Sequence, residues 1–263
     1  MDINTFWLPL LVKMLSAATI VVIATTAAER LGPFWGAIIA SLPVSAGPIY
    51  VLLALDHDAE FIAQGALASL VASIGTGLYM LCLAVLCPRL PTLASIGIGL
   101  SIWLALGMLA RMPEWDLPAA AVANIGVNLL CMWLTRSLRN RPPPKPGIRR
   151  WYDIPLRALL VAALVAVVTT ISATIGPSAT GFAAVFPIVM TSLTLIMQSR
   201  AGGDAVATIM ASSFLPMIGF SGCLIAVHVM TPLAGNTLGL LSGLAASLTW
   251  SLILIGWRLN RRA

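Results

Sequence analysis

Three groups of side chains have the types and spacing to handle a small solute. The first is the stretch SLPVSAGP, with Ser41, Pro43, Ser45, Gly47 and Pro48, followed by Tyr50. The second is FPIVMTSLT, with Pro187, Thr191, Ser192 and Thr194. Each sets hydroxyls beside a proline inside an apolar run. Proline removes a backbone donor and crowds the carbonyl four residues back, so a helix breaks there. Freed backbone groups at membrane depth are tolerated only against protein or a water-lined cavity. Half-helix ends add their dipoles, N-termini favouring anions and C-termini cations. The plainer reading is a kink satisfied by neighbouring helices, with Ser and Thr admitting close packing. The third group is Asn124 and Asn128, one turn apart and so on one helix face. They form either a polar stripe along a path or interhelical hydrogen bonds that fix packing.

The ionisable residues are fewer. Glu29 ends the first apolar run beside Arg30. A carboxylate in a membrane path can carry a coupling proton, which makes Glu29 the ion-coupling candidate; an interfacial pair with Arg30 is the alternative. Lys13 and Arg157 sit near helix N-termini, where the dipole disfavours a cation. Each asks for a partner, a lipid phosphate or anionic solute, or snorkels to the interface. Asp56, His57, Asp58 and Glu60 share a loop, and His228 is expected on the same side, but their spacing fits no familiar metal-ligand pattern. No metal or other cofactor is expected. No Gly-rich phosphate loop, nucleophile elbow or catalytic triad signature appears, and the acids and histidines do not converge, so the chain does not read as an enzyme.

The elements that would position these residues follow from composition. Of 263 residues, 59% are hydrophobic and 9% charged, against roughly 25% charged in a soluble domain; mean hydropathy is +0.98. So few charges cannot cover a globule in water, so lipid is the solvent. The apolar runs are continuous rather than alternating and reach the roughly 20 residues a helix needs to cross. The net charge of +6 reads as basic cytoplasmic loops, not as a nucleic-acid surface. The N-terminal MDINTFWLPL lacks the basic n-region and cleavage site of a signal peptide, so the first span is expected to stay. Cys82, Cys87, Cys131 and Cys223 read as small buried hydrophobes.

Nine spans are expected, at about 6–28, 34–55, 61–87, 92–110, 117–136, 155–175, 178–198, 204–229 and 235–257. The linker RSLRNRPPPKPGIRRWYD is basic and proline-rich, hence cytoplasmic and extended. Alternation then puts the N-terminus outside and the C-terminus inside. Arg30, Arg89, Arg200, Arg258, Arg261 and Arg262 fall inside with the linker, and only Lys13 and Arg111 fall outside.

An offset of 144 positions matches the halves without a gap. Gly32-Pro33 falls on Gly176-Pro177, Pro43 on Pro187, Thr25-Thr26 on Thr169-Thr170, Ser69 on Ser213, Ile74-Gly75 on Ile218-Gly219 and Lys13 on Arg157. An unmatched fifth span between the copies inverts the second. Inverted repeats with paired broken helices are a recurring plan of secondary transporters, with the site near the midplane. The expected organisation is 1–113 as repeat one, 114–136 as a connecting transmembrane helix, 137–153 as a basic cytoplasmic linker and 154–263 as repeat two.

RALLVAALVAVV (Arg157 to Val168), TGFAAVFP (Thr180 to Pro187) and the tryptophan-bearing SLTWSLILIGW (Ser247 to Trp257) resemble the small GlpM-type bacterial inner-membrane proteins of four spans. The resemblance implies a fused, inverted duplicate of such a unit in a bacterial inner membrane, and supplies no substrate. The combined expectation is an all-α polytopic membrane protein, a gradient-driven transporter of a small polar or anionic solute by alternating access. The alternatives are a flippase for a lipid-linked or amphipathic molecule and a non-transporting subunit of a larger assembly. The expected partners are the lipid bilayer and a small-molecule solute, with a homo-oligomer left open and nucleic acid excluded.

Overall fold

The computed structural model describes the backbone of residues 3–30, 46–110, 112–139 and 151–260. It is helical throughout, with no strand among the described residues. In chain order the helices are α1 (Ile3–Arg30), α2 (Ala46–Asp56), α3 (Ala59–Leu86), α4 (Thr92–Leu109), α5 (Leu117–Leu134), the short α6 (Arg136–Arg139), α7 (Asp153–Ala184), α8 (Ile188–Ala201) and α9 (Gly203–Asn260). Five helical stretches are long and apolar enough to cross a membrane: Ala59–Leu86, Thr92–Leu109, Leu117–Leu134, Asp153–Ala201 and Gly203–Trp257. This is the architecture of a multi-pass membrane protein. Leu93, Met108, Val122 and Leu233 are about three-quarters exposed, which suits a surface solvated by lipid tails.

Local chemistry starts and stops these helices. The Asp58 carboxylate caps α3 by accepting from the Phe61 N–H at 2.9 Å, and Asp116 caps α5 by accepting from the Ala119 N–H at 2.8 Å. Each satisfies a donor that has no partner within its own helix.

Two of the longest helices turn back on themselves at a glycine. Gly176 has φ +76° and Gly235 φ +83°, a region closed to most side chains. Thr180 Oγ1 lies 3.4 Å from the Ser172 carbonyl; eight residues along a straight helix span about 12 Å, so the chain reverses at Gly176. Pro177 then opens the next helix, where its missing N–H costs nothing. In α9, Ser242 Oγ lies 3.4 Å from the Ala226 carbonyl, and Trp250 Nε1 donates to the Leu215 carbonyl at 2.9 Å. The two limbs are therefore antiparallel. The sequence led to a loop over 230–234 between two spans; instead the helix runs on to Gly235 and the reversal takes that one residue. Similarly, the basic segment expected as linker from 137 begins with the turn of α6.

The central element is α3: two thirds of its apolar window is buried (67%), against 22–28% for the other four stretches. It packs chiefly on α9, then on α7, α4 and α5, while α1 packs on α7. One apolar core gathers Ile49, Leu53, Ile62, Leu70, Val165 and Leu224. A second gathers Tyr79, Met80, Leu83, Trp103, Met210 and Phe214.

Candidate functional site

The segment from Pro177 to Ala201 is a broken helix. Its first piece ends at Ala184, Val185 and Pro187 leave helical geometry, and α8 begins at Ile188. The proline is the cause: it offers no N–H to the Ala183 carbonyl, which accepts from Phe186 at 3.1 Å instead. The Val185 N–H also turns to Ala183, so Gly181 loses its ordinary helical donor.

Two hydroxyl relays from α3 hold the pieces on either side of the break. Ser69 Oγ donates to the Gly181 carbonyl at 2.6 Å, and Tyr50 lies 2.6 Å from Ser69 Oγ. Because the serine proton is committed to Gly181, the Tyr50 O–H is the donor. Likewise Thr191 Oγ1 donates to the Pro187 carbonyl at 2.8 Å and receives the Tyr79 O–H at 2.8 Å. Backbones touch here: a Cβ on Gly181 would collide with the Gly65 carbonyl. Aromatic rings close the break, with Trp103 4.4 Å from Phe182 and 5.3 Å from Phe186, centroid to centroid. Trp103 is itself fixed by Nε1 donating to Thr76 at 3.1 Å.

Of the residues singled out from the sequence, Pro187, Thr191, Ser192 and Thr194 lie at the break or in the first turns of α8, the three hydroxyl residues buried. Ser192 Oγ donates to the Val189 carbonyl at 2.9 Å and Thr194 Oγ1 to that of Met190 at 2.8 Å. Tyr50 joins the break through its bond to Ser69. Gly47 and Pro48 lie in the first turn of α2, Pro48 buried and Gly47 half-buried. Ser41, Pro43 and Ser45 lie outside the described residues. Glu29 is in the last turn of α1, and its side chain is likewise outside them. Ser69 and Tyr79 were not singled out as site residues. Ser69 carried a signal, its match with Ser213 at the repeat offset; Tyr79 carried none.

Asn124 and Asn128 are fully buried where α5 meets α3 and α9. Asn124 Nδ2 donates to the Leu70 carbonyl at 2.9 Å and to Ser73 Oγ at 2.5 Å, while its Oδ1 accepts from Ser221 at 2.5 Å and Asn128 Nδ2 at 3.2 Å. It thus joins helices on both sides of the linker. Asn128 Nδ2 also donates to the Asn124 carbonyl at 2.9 Å. Asn128 Oδ1 has no donor among the described residues, and a Cβ at Gly77 would sit 3.5 Å from it. Turning this amide over would aim oxygen at two acceptors, so its orientation is fixed.

The charged residues work elsewhere. Lys13 pairs with Asp56 and Arg200 with Asp153. Glu60 accepts from Gln64 at 2.8 Å. His57 stacks on Phe61 at 3.7 Å and meets Ser172 Oγ at 2.9 Å, while His228 Nδ1 meets the Ala63 carbonyl at 2.8 Å. No group of His, Cys, Asp and Glu suited to a metal ion is found among the described residues. What surrounds the break is hydroxyls, carbonyls and aromatic faces, the hydroxyls of Tyr50, Ser69, Tyr79, Thr191, Ser192 and Thr194 each bonded to a neighbouring protein group.

No family model, no curated protein and no solved structure matches the chain. The resemblance to GlpM-type proteins therefore rests on the quoted residues alone.

Proposed function

We propose that the protein is a gradient-driven transporter of a small polar or anionic solute, moving it past the Val185–Pro187 break by alternating access. The observation that carries this reading is the break itself, a helix interrupted inside an apolar protein and held on each side by a tyrosine–hydroxyl–carbonyl relay. Discontinuous helices at membrane depth belong where backbone lines a cavity or meets protein. The neutral lining suits a polar solute; for an anionic one the N-terminus of α8 supplies the field.

The inverted-repeat plan, with nine spans in a bacterial inner membrane, N-terminus outside and C-terminus inside, is part of this proposal. Element boundaries support it. Moved by 144, α2 falls on 190–200 inside α8, α3 on 203–230 starting where α9 starts, and α4 on 236–253 just past Gly235. Contacts support the inversion. Gln198 Nε2, near the end of α8, donates to the Cys87 and Leu90 carbonyls at 3.0 Å each. Asn236 Nδ2 donates to the Ala54 and His57 carbonyls at 3.1 and 3.0 Å. Position 198 is the repeat mate of 54, yet the two contacts lie at opposite ends of α3, as two copies of opposite orientation require. The lipid-translocating alternative needs Lys13 or Arg157 at a headgroup, and Lys13 is already held by Asp56.

The test is single-cysteine labelling. With the four native cysteines replaced, Ser45→Cys or Thr191→Cys protein in sealed vesicles is treated with a small membrane-impermeant thiol reagent from each face. Reaction of both sites, with access from either face, is the expected result. If neither reacts while cysteines in the outer loops do, the break is a packing kink and the transport reading fails.

A further inference from the structure

The chemistry at the two ends of α3 goes further than the break. α3 has 28 residues, so its ends are about 40 Å apart at about 1.5 Å per residue. At one end, Lys13 of α1 pairs with Asp56, the last residue of α2. At the other, Asp153 of α7 pairs with Arg200 in the last turn of α8. Under the 144-residue offset Asp56 falls on Arg200 and Lys13 on Arg157. The acid of the first pair is thus replaced by a base in the second copy, and the carboxylate comes instead from Asp153, one turn before Arg157. The signs are exchanged while the tie persists: in each half the first helix is fastened to the C-terminal end of the second. Beside each ion pair, a single amide side chain fastens that same end to the opposite half, Asn236 at one end and Gln198 at the other.

We infer that these are two ionic latches, one per membrane face, and that the Lys13–Asp56 latch is the one that opens first. This rests on the transport reading above. Both pairs are made in the present structure. Their strengths differ because their burial differs. The side chains of Lys13 and Asp56 are 20% and 40% exposed, against 10% and 8% for Arg200 and Asp153. Asp56 closes α2 just before the turn into α3, at a membrane face in the proposed topology, where water competes for the pair and leaves it weak, whereas separating a buried pair strands charge in low dielectric. Opening at the Asp56 face therefore meets the smaller barrier.

The experiment uses full-length Thr191→Cys protein lacking native cysteines, in sealed vesicles, labelled from each face with an impermeant maleimide. Unmodified latches are expected to give faster labelling from the Asp56 face. Asp56→Asn is expected to raise that rate several-fold and leave the other face unchanged; Asp153→Asn is expected to raise the rate from the Arg200 face. Should Asp153→Asn fail to accumulate, the exchange of Asp153→Arg with Arg200→Asp restores the pair and should restore the original face preference. Labelling from both faces that neither neutralisation biases overturns the latches and leaves the transporter standing. Absence of labelling at Thr191 from either face, in every variant, removes the transport reading and the latches with it.

Discussion

At the scale of single residues, the most informative contrast is between Ser221 and Gly77, which are mates under the 144-residue offset. Ser221 donates to Asn124 Oδ1, while Gly77 faces Asn128 Oδ1 with no hydroxyl to give. An unsatisfied buried acceptor costs roughly 1–3 kcal/mol. Gly77→Ser should supply the missing donor, since its Cβ finds only ordinary contacts at 3.5 Å and beyond. Gly77→Ala is the control, because alanine gains more helix propensity than serine but brings no donor. Thermal unfolding in detergent should rank serine above alanine by about 1 kcal/mol; the opposite order would mean that Oδ1 is not short of a partner. The shared face of Asn124 and Asn128 was legible from their four-residue spacing. Their partners Ser73 and Ser221 were not, because the register of α5 against α3 and α9 is a tertiary fact that no one segment encodes alone. For the same reason Tyr79, an ordinary aromatic in an apolar run, gave no hint of its bond to Thr191.

At the scale of elements, punctuation residues were readable and their exact geometry less so. Pro187 announced the break, and Gly176-Pro177 announced a boundary, because both act on their own backbone. The hairpin at Gly235 was harder. Spans were expected to end at 229 and resume at 235, but the helix runs on to Gly235, whose positive φ makes the reversal. Close backbone approach is likewise invisible in sequence and decisive in structure. Gly181 meets the Gly65 carbonyl, whereas a Cβ on Gly126 of α5 would touch nothing within 4 Å. Gly181→Ala should therefore push α3 off the broken helix and cost about 1–3 kcal/mol, the usual range for overpacking. Gly126→Ala should be neutral or gain up to about 1 kcal/mol from reduced backbone entropy. Equal melting temperatures for the two variants would mean that the Gly65–Gly181 contact is loose enough to accept a methyl group.

At the scale of the whole molecule, the question is what keeps the two halves together. The covalent connection runs through RPPPKPG (Arg141 to Gly147), while the contacts that cross it are spread over the fold. Ser69 reaches Gly181, Tyr79 reaches Thr191, Asn124 reaches Ser221, His57 reaches Ser172, and α3 lies along α9. Cutting the chain between Pro143 and Pro144 removes none of these. What it adds is the entropy of keeping two pieces together, and loop entropy varies only slowly with length, so the covalent connection contributes chiefly local concentration. Confinement of both fragments to one bilayer supplies part of that concentration. Fragments 1–143 and 144–263, co-expressed with a tag on one, should therefore co-purify and melt within a few degrees of the intact chain. Replacing Asn124 by alanine in the first fragment should loosen the split protein more than the intact one, because the bond to Ser221 then helps hold two separate molecules. If the tagged half purifies alone, the linker is a structural member and the two halves are not a self-sufficient interface.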